Sequence, residues 1–395
     1  MNRASAALAL ALFTHGVSNA FLFASLPPIA RQTGIGEAQV GLILTAGAVV
    51  FMAASPWWGA RSQRIGRRPV MLVCLAAYAL TTLLFGLVIE ARMAGLVSAG
   101  LAFALMLAAR ALFAGTGGGL FPAAQAYMAD VTDIDGRAAG MALLGMSVGL
   151  GMTVGPGIAA LLASVSLLAP IYAVAGLAAA ALVCVHRWVA ESRPPGEPPA
   201  RPHRWLPAAP ARPFLIISFL LVASVATVQT VLAFWVQDVL GVGAKAATGW
   251  AGLVLAFLSG GFVAAQAVFA RLMGWPAGRL LAVGSTIAPV AVVVLMLVPA
   301  YPAIVAACFL FGAGFGMIMP GNTAAMTLAA PLDQQGAVAG QNAAAQGLGF
   351  VVGPFASGAL YQVAPAYSFT MALVLLLPIL PLSLTLSPGR PPARP

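Results

Sequence analysis

Long apolar runs dominate the chain, and short polar or charged stretches separate them. A helix needs about 20 mostly apolar residues, at 1.5 Å per residue, to cross the roughly 30 Å of hydrocarbon in a bilayer. Twelve runs meet that length, so the pattern predicts twelve membrane-spanning helices. The predicted spans are 6–30, 38–60, 69–90, 98–128, 138–163, 168–189, 213–240, 247–271, 279–299, 302–329, 337–362 and 367–387. The fourth begins late in a long apolar stretch, so that it runs toward Asp130.

The overall composition supports an all-α membrane protein. Of the 395 residues 61% are hydrophobic and 7% are charged, and a soluble domain cannot bury that much apolar surface. The three cysteines (Cys74, Cys184 and Cys308) lie far apart within apolar runs. They are typical of small buried side chains rather than of a disulfide framework or metal site. We therefore expect no metal and no cofactor.

The net charge of +10 raises the question of nucleic-acid binding. Such binding needs a basic folded surface, often with aromatic rings for stacking, whereas here the basic residues lie in short segments between apolar runs. With the N-terminus inside, fifteen arginines fall on the cytoplasmic side, against Arg31, Arg92 and Lys245 opposite. This positive-inside bias predicts a multi-pass protein of a bacterial-type inner (plasma) membrane, with both termini cytoplasmic and no nucleic-acid partner.

A proline-rich segment divides the predicted spans into two sets of six. Residues 191–212 contain seven prolines and four arginines, a composition that prevents a helix. The sequence therefore predicts an N-terminal six-helix bundle (1–190), a cytoplasmic linker (191–212) and a C-terminal six-helix bundle (213–395).

The two halves resemble each other in sequence. "GLGMTVGPGIAALL" (149–162) matches "GLGFVVGPFASGAL" (347–360), and Pro122 has a counterpart in Pro320 at the same offset of 198 residues. Two six-helix halves in parallel repeat are typical of one large class of transporters, which bind substrate between the halves near the membrane midplane. The repeat is the strongest evidence for transport in the sequence itself.

Three motifs resemble the major facilitator superfamily, in particular its twelve-span drug:proton antiporter branch, which includes tetracycline-type exporters. The loop "GARSQRIGRR" (59–68) is similar to the family motif Gly-x-x-x-Asp-Arg-x-Gly-Arg-Arg, with glutamine at the aspartate position. "ARALFAGTGGG" (109–119) resembles the span 4 motif, although alanine stands at 114 where a glycine is expected. The span 5 motif is matched by Gly151, Gly155 and Pro156. The loop motif is carried by Gly59, Gln63, Arg64, Gly66, Arg67 and Arg68.

The resemblance implies a conformational latch at the loop motif. In the family the motif's aspartate lies against the start of a second-half helix, where a carboxylate complements the positive helix terminus. Gln63 brings no charge to that position, so we expect a weaker latch in this chain. Asp130 ends span 4 on the same side and is expected to compensate by pairing with Arg64 or Arg67.

Two polar residues inside predicted spans are candidates for function. Arg110 is the one basic residue placed within a span; an intramembrane charge marks a functional site unless the side chain snorkels to the interface. His15 lies in span 1, and its ordinary pKa near 6.5 suits a proton relay. The alternative is a packing histidine. Asn19, one turn further, is expected to hydrogen-bond one ring nitrogen. None of the nine acidic residues lies near a predicted midplane, so the proton-coupling candidates are His15, Asp130 and Asp238.

Further polar and aromatic residues from both halves form a candidate substrate cavity, although each polar residue alone is more often a contact between helices. The candidates are Asn19, Phe23, Arg110, Phe121, Gln125, Gln229, Trp235, Asn322 and Gln346.

The glycine runs at 115–119 and 312–316 lack nucleotide-loop spacing, and no catalytic constellation is present. The chain is not expected to be an enzyme.

These observations favour a monomeric secondary transporter in lipid. We expect it to export small amphipathic organic molecules, either drugs or a self-made metabolite such as a siderophore, by alternating access with proton antiport. The alternative is an uptake facilitator or symporter for a nutrient or metabolite, because the fold does not determine direction. A membrane receptor is less favoured.

Overall fold

A computed structural model describes residues 3–192, 211–272, 275–330 and 335–385. Within these ranges twelve helices are long and apolar enough to cross a membrane, which confirms the predicted number of spans and the all-α fold class. The helices are α1 (Arg3–Thr33), α2 (Glu37–Ile65), α3 (Arg67–Met93), α4 (Ala99–Gly117), α5 (Leu120–Val131), α6 (Ile134–Ala163), α7 (Ala169–Trp188), α8 (Arg212–Leu240), α9 (Ala244–Ala265) with a π-helical continuation (Gln266–Leu272), α10 (Ala277–Leu297), α11 (Tyr301–Ala329), α12 (Gln335–Val363), α13 (Pro365–Leu376) and α14 (Ile379–Thr385).

The fourth span differs from the single helix predicted at 98–128. It covers Ala99–Val131 as two helices, α4 and α5, that meet at Gly118 and Gly119. The chain passes close to α2 at this break. A Cβ atom at Gly118 would lie 3.1 Å from the backbone nitrogen of Ser55, and one at Gly119 would lie 2.8 Å from the indole of Trp58. Glycine is needed at both positions because a side chain would push α2 away.

The chain divides into two compact units. One comprises Met1–Arg201 with Val242–Leu253, and the other comprises Pro202–Gly241 with Val254–Pro395. Residues 193–210 of the predicted linker lie outside the described residues. The domain boundaries predicted from the sequence remain a prediction.

The first helix of each half is its most buried span. The buried share of the most apolar stretch is 61% for α1 and 72% for α8, against at most 50% for every other span. In the first unit, Leu8 and Leu12 of α1 pack with Met71 of α3, Leu120 of α5 and Val185 of α7. Packing against α3, α5 and α7 therefore contributes to the burial of α1.

Glycines of the span 5 motif bring α6 against α1. A Cβ atom at Gly151 would lie 2.8 Å from the backbone nitrogen of Val17, and one at Gly155 would lie 3.2 Å from the Cβ atom of Ala20. The second unit repeats this contact between α12 and α8: a Cβ atom at Gly349 would lie 2.7 Å from the backbone nitrogen of Ala223. Small residues thus allow the close helix packing that membranes favour, at equivalent positions of both repeats.

Candidate functional site

Arg110 lies on α4 in the first unit, with its guanidinium between α1 and α2. Its Nη2 atom donates to the Oδ1 atom of Asn19 at 3.2 Å, and its Cζ atom is 4.7 Å from the ring centroid of Phe113. Phe113 is one turn further along α4, a spacing at which side chains of one helix face meet. The Nε atom is buried without a hydrogen-bond partner, and a Cβ atom at Gly47 would lie 3.0 Å from it. The α2 glycine makes room for the charged side chain.

Tyr78 of α3 contacts the ring of His15. The tyrosine hydroxyl hydrogen-bonds the Nδ1 atom of His15, and the two rings stack with centroids 5.7 Å apart. The same hydroxyl donates to the carbonyl of Gly117 at 3.4 Å. A hydroxyl has a single proton, so when Gly117 receives it the Nδ1 atom of His15 must carry a proton of its own. The protonation of the His15 Nδ1 atom therefore depends on which way the Tyr78 hydroxyl donates its proton.

These side chains form a closed circuit of contacts, the Arg110 cluster, which consists of Arg110, Phe113, Tyr78, His15 and Asn19. Phe113 stacks on Tyr78 with centroids 4.2 Å apart, and the Nδ2 atom of Asn19 donates to the backbone carbonyl of His15 at 2.9 Å. The expectation that Asn19 bonds the imidazole ring is wrong, because four residues along a helix its amide reaches the carbonyl instead. Asn19 links Arg110 to α1, and Tyr78, which sequence reasoning missed, holds the ring.

A small cavity adjoins the Arg110 cluster between α1, α3 and α4. Its volume is about 20 Å³, and its lining includes the hydroxyl residues Ser18, Thr81 and Thr82 together with Arg110 and Phe113. The Oγ atom of Ser18 is buried without a hydrogen-bond partner. A water molecule needs at least 10–15 Å³, so the cavity has room for about one water and none for an organic molecule.

Arg67, at the start of α3, forms the ion pair that the sequence left open between Arg64 and Arg67. Its Nε atom donates to the Oδ2 atom of Asp130 at 3.2 Å, and its Nη1 atom donates to the hydroxyl of Ser62 at 3.0 Å. The hydroxyl of Ser192 also donates to Asp130, at 3.0 Å. Arg67 is 5% exposed, whereas Arg64 is exposed. Asp130 therefore forms an ion pair with Arg67, the buried arginine of the loop motif.

Glu191 occupies the N-terminus of α3, a contact that the sequence analysis missed. Its carboxylate accepts the backbone N–H of Arg67 at 2.8 Å and that of Arg68 at 3.1 Å. The residue before them, Gly66, has a φ of +98°, a conformation that favours glycine. A carboxylate at this position complements the positive end of the helix. Gln63, on the preceding helix, is half-buried.

In the second unit the predicted site residue Asn322 joins three helices. Its Nδ2 atom on α11 donates to the Ser218 hydroxyl at 2.8 Å and to the Phe214 carbonyl at 2.9 Å, both on α8. The Ser218 hydroxyl donates in turn to the Oδ1 atom of Asn342 on α12 at 2.5 Å. Asn322 therefore makes a contact between helices, which was the alternative to a role in the substrate cavity.

The remaining predicted residues are distributed over both units. The carboxylate of Asp238 accepts from the hydroxyl of Tyr361 at 2.6 Å. Trp235 packs edge-on against Phe369, with centroids 5.6 Å apart, and its buried Nε1 atom has no hydrogen-bond partner. The half-buried members are Phe23, Phe121, Gln125, Gln229 and Gln346. Within the described ranges no group of three His, Cys, Asp or Glu side chains is arranged to hold a metal ion.

Comparison with known families gives a match over most of the chain. The family model described as Major Facilitator Superfamily matches residues 8–354. No curated protein matches the sequence.

Solved structures share the fold at low sequence identity. The chain is similar to a bacterial homolog of the human lysosomal transporter Spinster, with 15% identity, a TM-score of 0.76 and coverage of 97% of this chain and 96% of the other. It is similar to the human organic anion transporter MFSD10, with 21% identity, a TM-score of 0.66 and coverage of 96% and 99%. A bacterial homologue of the iron transporter ferroportin has 13% identity, a TM-score of 0.72 and coverage of 98% and 99%.

Proposed function

The chain belongs to the major facilitator superfamily and is a multi-pass membrane transporter; we propose that it exports small amphipathic organic molecules by alternating access in exchange for protons. The resemblance of Gly151, Gly155 and Pro156 to the span 5 motif supports the drug:proton antiporter branch. The arginine distribution supports a bacterial-type inner membrane with both termini cytoplasmic. We propose that the protein acts as a monomer, because the sequence of one chain predicts both six-helix bundles.

The observation that carries this proposal is the unpaired charge of Arg110. Its described contacts are with Asn19, Phe113 and the small cavity, and none of them is a carboxylate. A charge inside a membrane protein is costly unless it is paired. An acidic group on a substrate would supply that pair in a state of the transport cycle in which the small cavity beside Arg110 has widened. A planar guanidinium binds a carboxylate through two parallel hydrogen bonds. We therefore propose amphipathic organic anions as substrates.

The proton-coupling group in this proposal is His15. Histidine is the side chain whose ordinary pKa lies within the physiological range, and His15 belongs to the same cluster as Arg110. Binding of a substrate anion at Arg110 would change the electrostatic field at the imidazole of His15, which belongs to the same cluster. Asp130 and Asp238 are the alternative coupling groups, but Arg67 already pairs with Asp130 and Tyr361 already bonds Asp238.

The test is transport by the purified full-length protein in vesicles that carry a pH gradient. A panel of fluorescent organic anions, with uncharged and cationic analogues of matched size, identifies the substrate class. Uphill movement of an anion driven by the proton gradient would support the proposal. Movement of cations alone would contradict the substrate class, and failure of every compound to respond to the gradient would contradict proton coupling.

Arg110 is tested in the same vesicles. We expect Arg110→Ala to abolish transport and Arg110→Lys to rescue it only partly, since lysine lacks the bidentate fork. Arg61→Gln is the matched control, because Arg61 is exposed and lies over Trp57 at 5.7 Å. Near-normal transport by Arg110→Ala would contradict a role in substrate binding and would indicate that the Arg110 side chain snorkels to the interface.

The alternative function is uptake of a nutrient or metabolite by the same fold. It is favoured by the glutamine at position 63, which removes the charge of the family latch, and by the lack of acidic residues near the predicted midplane. The direction of net transport distinguishes the two. Uphill movement of substrate in the same direction as proton flow would support uptake. Movement in the opposite direction would support export.

A further inference from the structure

An apolar groove lies on the surface of the first unit, between the start of α3 and the end of α7. Its volume is about 840 Å³, and its apolar lining includes Val73, Ala76 and Val183. Val73 is 47% and Val183 is 60% exposed. Exposed aliphatic side chains on a spanning helix face the acyl chains of the bilayer. The groove is therefore open to lipid and separate from the Arg110 cluster.

The end of the groove nearest the helix termini is basic. His186, Arg187 and Trp188 line it there, and Arg187 is exposed. Among the described residues no side chain forms an ion pair with Arg187. Arg68 reaches across from α3, with its Nη2 atom 2.8 Å from the carbonyl oxygen of His186. Arg187 thus lines the basic end of the groove, and Arg68 lies beside it through its contact with His186.

The carboxylate of Glu191, which also lies near this end of the groove, already accepts two hydrogen bonds. Glu191 accepts the backbone N–H groups of Arg67 and Arg68, so its charge is directed at the N-terminus of α3. The Nε atom of Arg68 is buried without a hydrogen-bond partner. Arg187 is exposed and forms no ion pair with a described side chain. It stands beside Trp188, an aromatic residue of the kind typical of membrane interfaces.

We propose that this groove binds an anionic phospholipid, with one acyl chain along α3 and α7 and the phosphate between Arg187 and Arg68. The apolar part extends from Trp188 back to Leu182 on α7, about 9 Å at 1.5 Å per residue. That length fits within one leaflet, about half of the 30 Å hydrocarbon thickness. Any acyl chain suits the apolar lining, but two arginines favour a negatively charged headgroup over a zwitterionic one.

Binding of this lipid would join two helices of the first unit that are far apart in sequence. Its phosphate would bridge the first turn of α3 and the last turn of α7, and its chain would cover apolar surface of both. A ligand that binds only the folded state stabilises it. The proposal is independent of the transported substrate, so failure of the export hypothesis would leave it intact.

The test uses the purified full-length protein in detergent, with phosphatidylglycerol and phosphatidylcholine of identical acyl chains. Native mass spectrometry measures the occupancy of each lipid. We expect phosphatidylglycerol to bind at least about fivefold more tightly, and Arg187→Gln to reduce its affinity by about fivefold, as expected for one basic residue at an anionic surface. Phosphatidylcholine binding by Arg187→Gln should be unchanged, which also shows that the variant is folded.

Two matched controls separate the groove from general surface charge. Arg61→Gln removes an exposed arginine elsewhere and should preserve the preference for phosphatidylglycerol. Ala76→Trp fills the groove and should reduce binding of both lipids, whereas Leu80→Trp, one turn further on the same helix and 56% exposed, should not.

Three outcomes would overturn the proposal. One is equal binding of the two lipids by the unaltered protein, and another is an equal loss of phosphatidylglycerol affinity in Arg187→Gln and Arg61→Gln. The third is competition by soluble glycerol phosphate at the affinity of the lipid, because it would show that a headgroup site exists without a chain site.

Discussion

Replacement of Gly151 by alanine should destabilise the first unit, whereas the same replacement two residues earlier should not. Gly151 faces α1, and an added Cβ atom would lie 2.8 Å from the backbone nitrogen of Val17 and 3.0 Å from the Cα atom of Gly16. Gly149 lies on the same helix, α6, but a Cβ atom there would meet nothing within 4 Å. The two variants add the same methyl group to one helix and differ only in what that group contacts.

The magnitude follows from the distances. Ordinary Cβ contacts begin near 3.4 Å. The added methyl group would come even closer to the carbonyl oxygen of Phe13 than to Val17, so α6 must move away from α1 by more than half an ångström. The obstructing atoms are backbone, which cannot rotate aside. Forcing a methyl group into a well-packed interior costs about 1–3 kcal/mol. Alanine recovers about 0.5–1 kcal/mol over glycine within a helix. Gly151→Ala should therefore lose about 1–2 kcal/mol, and Gly149→Ala should be neutral or slightly stabilising.

Thermal unfolding in detergent, followed with a thiol-reactive fluorophore, measures this difference. Cys74 is buried in the first unit and reacts when that unit opens. All variants carry Cys184→Ser and Cys308→Ala, so that Cys74 is the single thiol. A loss of 1–2 kcal/mol lowers the midpoint by several degrees in a unit of about 200 residues.

The second repeat provides an independent copy of the experiment. Gly349 is the counterpart of Gly151 and approaches Ala223 of α8. Gly349→Ala should lower the midpoint reported by Cys308, which is buried on α11, when Cys308 is retained as the single thiol. If Gly151→Ala and Gly149→Ala unfold at the same temperature, the close approach of α6 to α1 does not limit stability and the reasoning is refuted.

Two further predictions concern the transport cluster and the α3 terminus. His15→Gln should retain binding of the substrate but equilibrate it without uphill export, because glutamine cannot carry the proton; His15→Asp should keep coupling with an altered pH optimum. Full uphill export by His15→Gln would move the coupling role to Asp130 or Asp238. Glu191→Gln should cost about 0.5–1 kcal/mol, because the amide still accepts a hydrogen bond but no longer complements the helix N-terminus. The Cys74 assay measures this loss, which should shrink in high salt; an unchanged midpoint at low salt would mean that the carboxylate does not cap α3.

The membrane architecture could be predicted from the sequence because its causes are local. A span is a run of about 20 apolar residues, and every one of the twelve is visible without knowledge of its neighbours. The span 5 glycines were visible as well, because the repeat at 149–162 and 347–360 marks them. Arg110 stood out for the same reason, since one charge within an apolar run is conspicuous.

The contacts of these residues were decided only by the tertiary structure. His15 meets Tyr78 across 63 residues of sequence, and Glu191 meets Arg67 across 124. Each successive residue of an α-helix points about 100° further around its axis, so small rotations of packed helices choose which side chain faces which neighbour. That rotation follows from packing of whole helices, for which a single run of residues contains no signal. It is why Arg67 rather than Arg64 pairs with Asp130, and why the fourth span breaks where Gly118 and Gly119 pass α2.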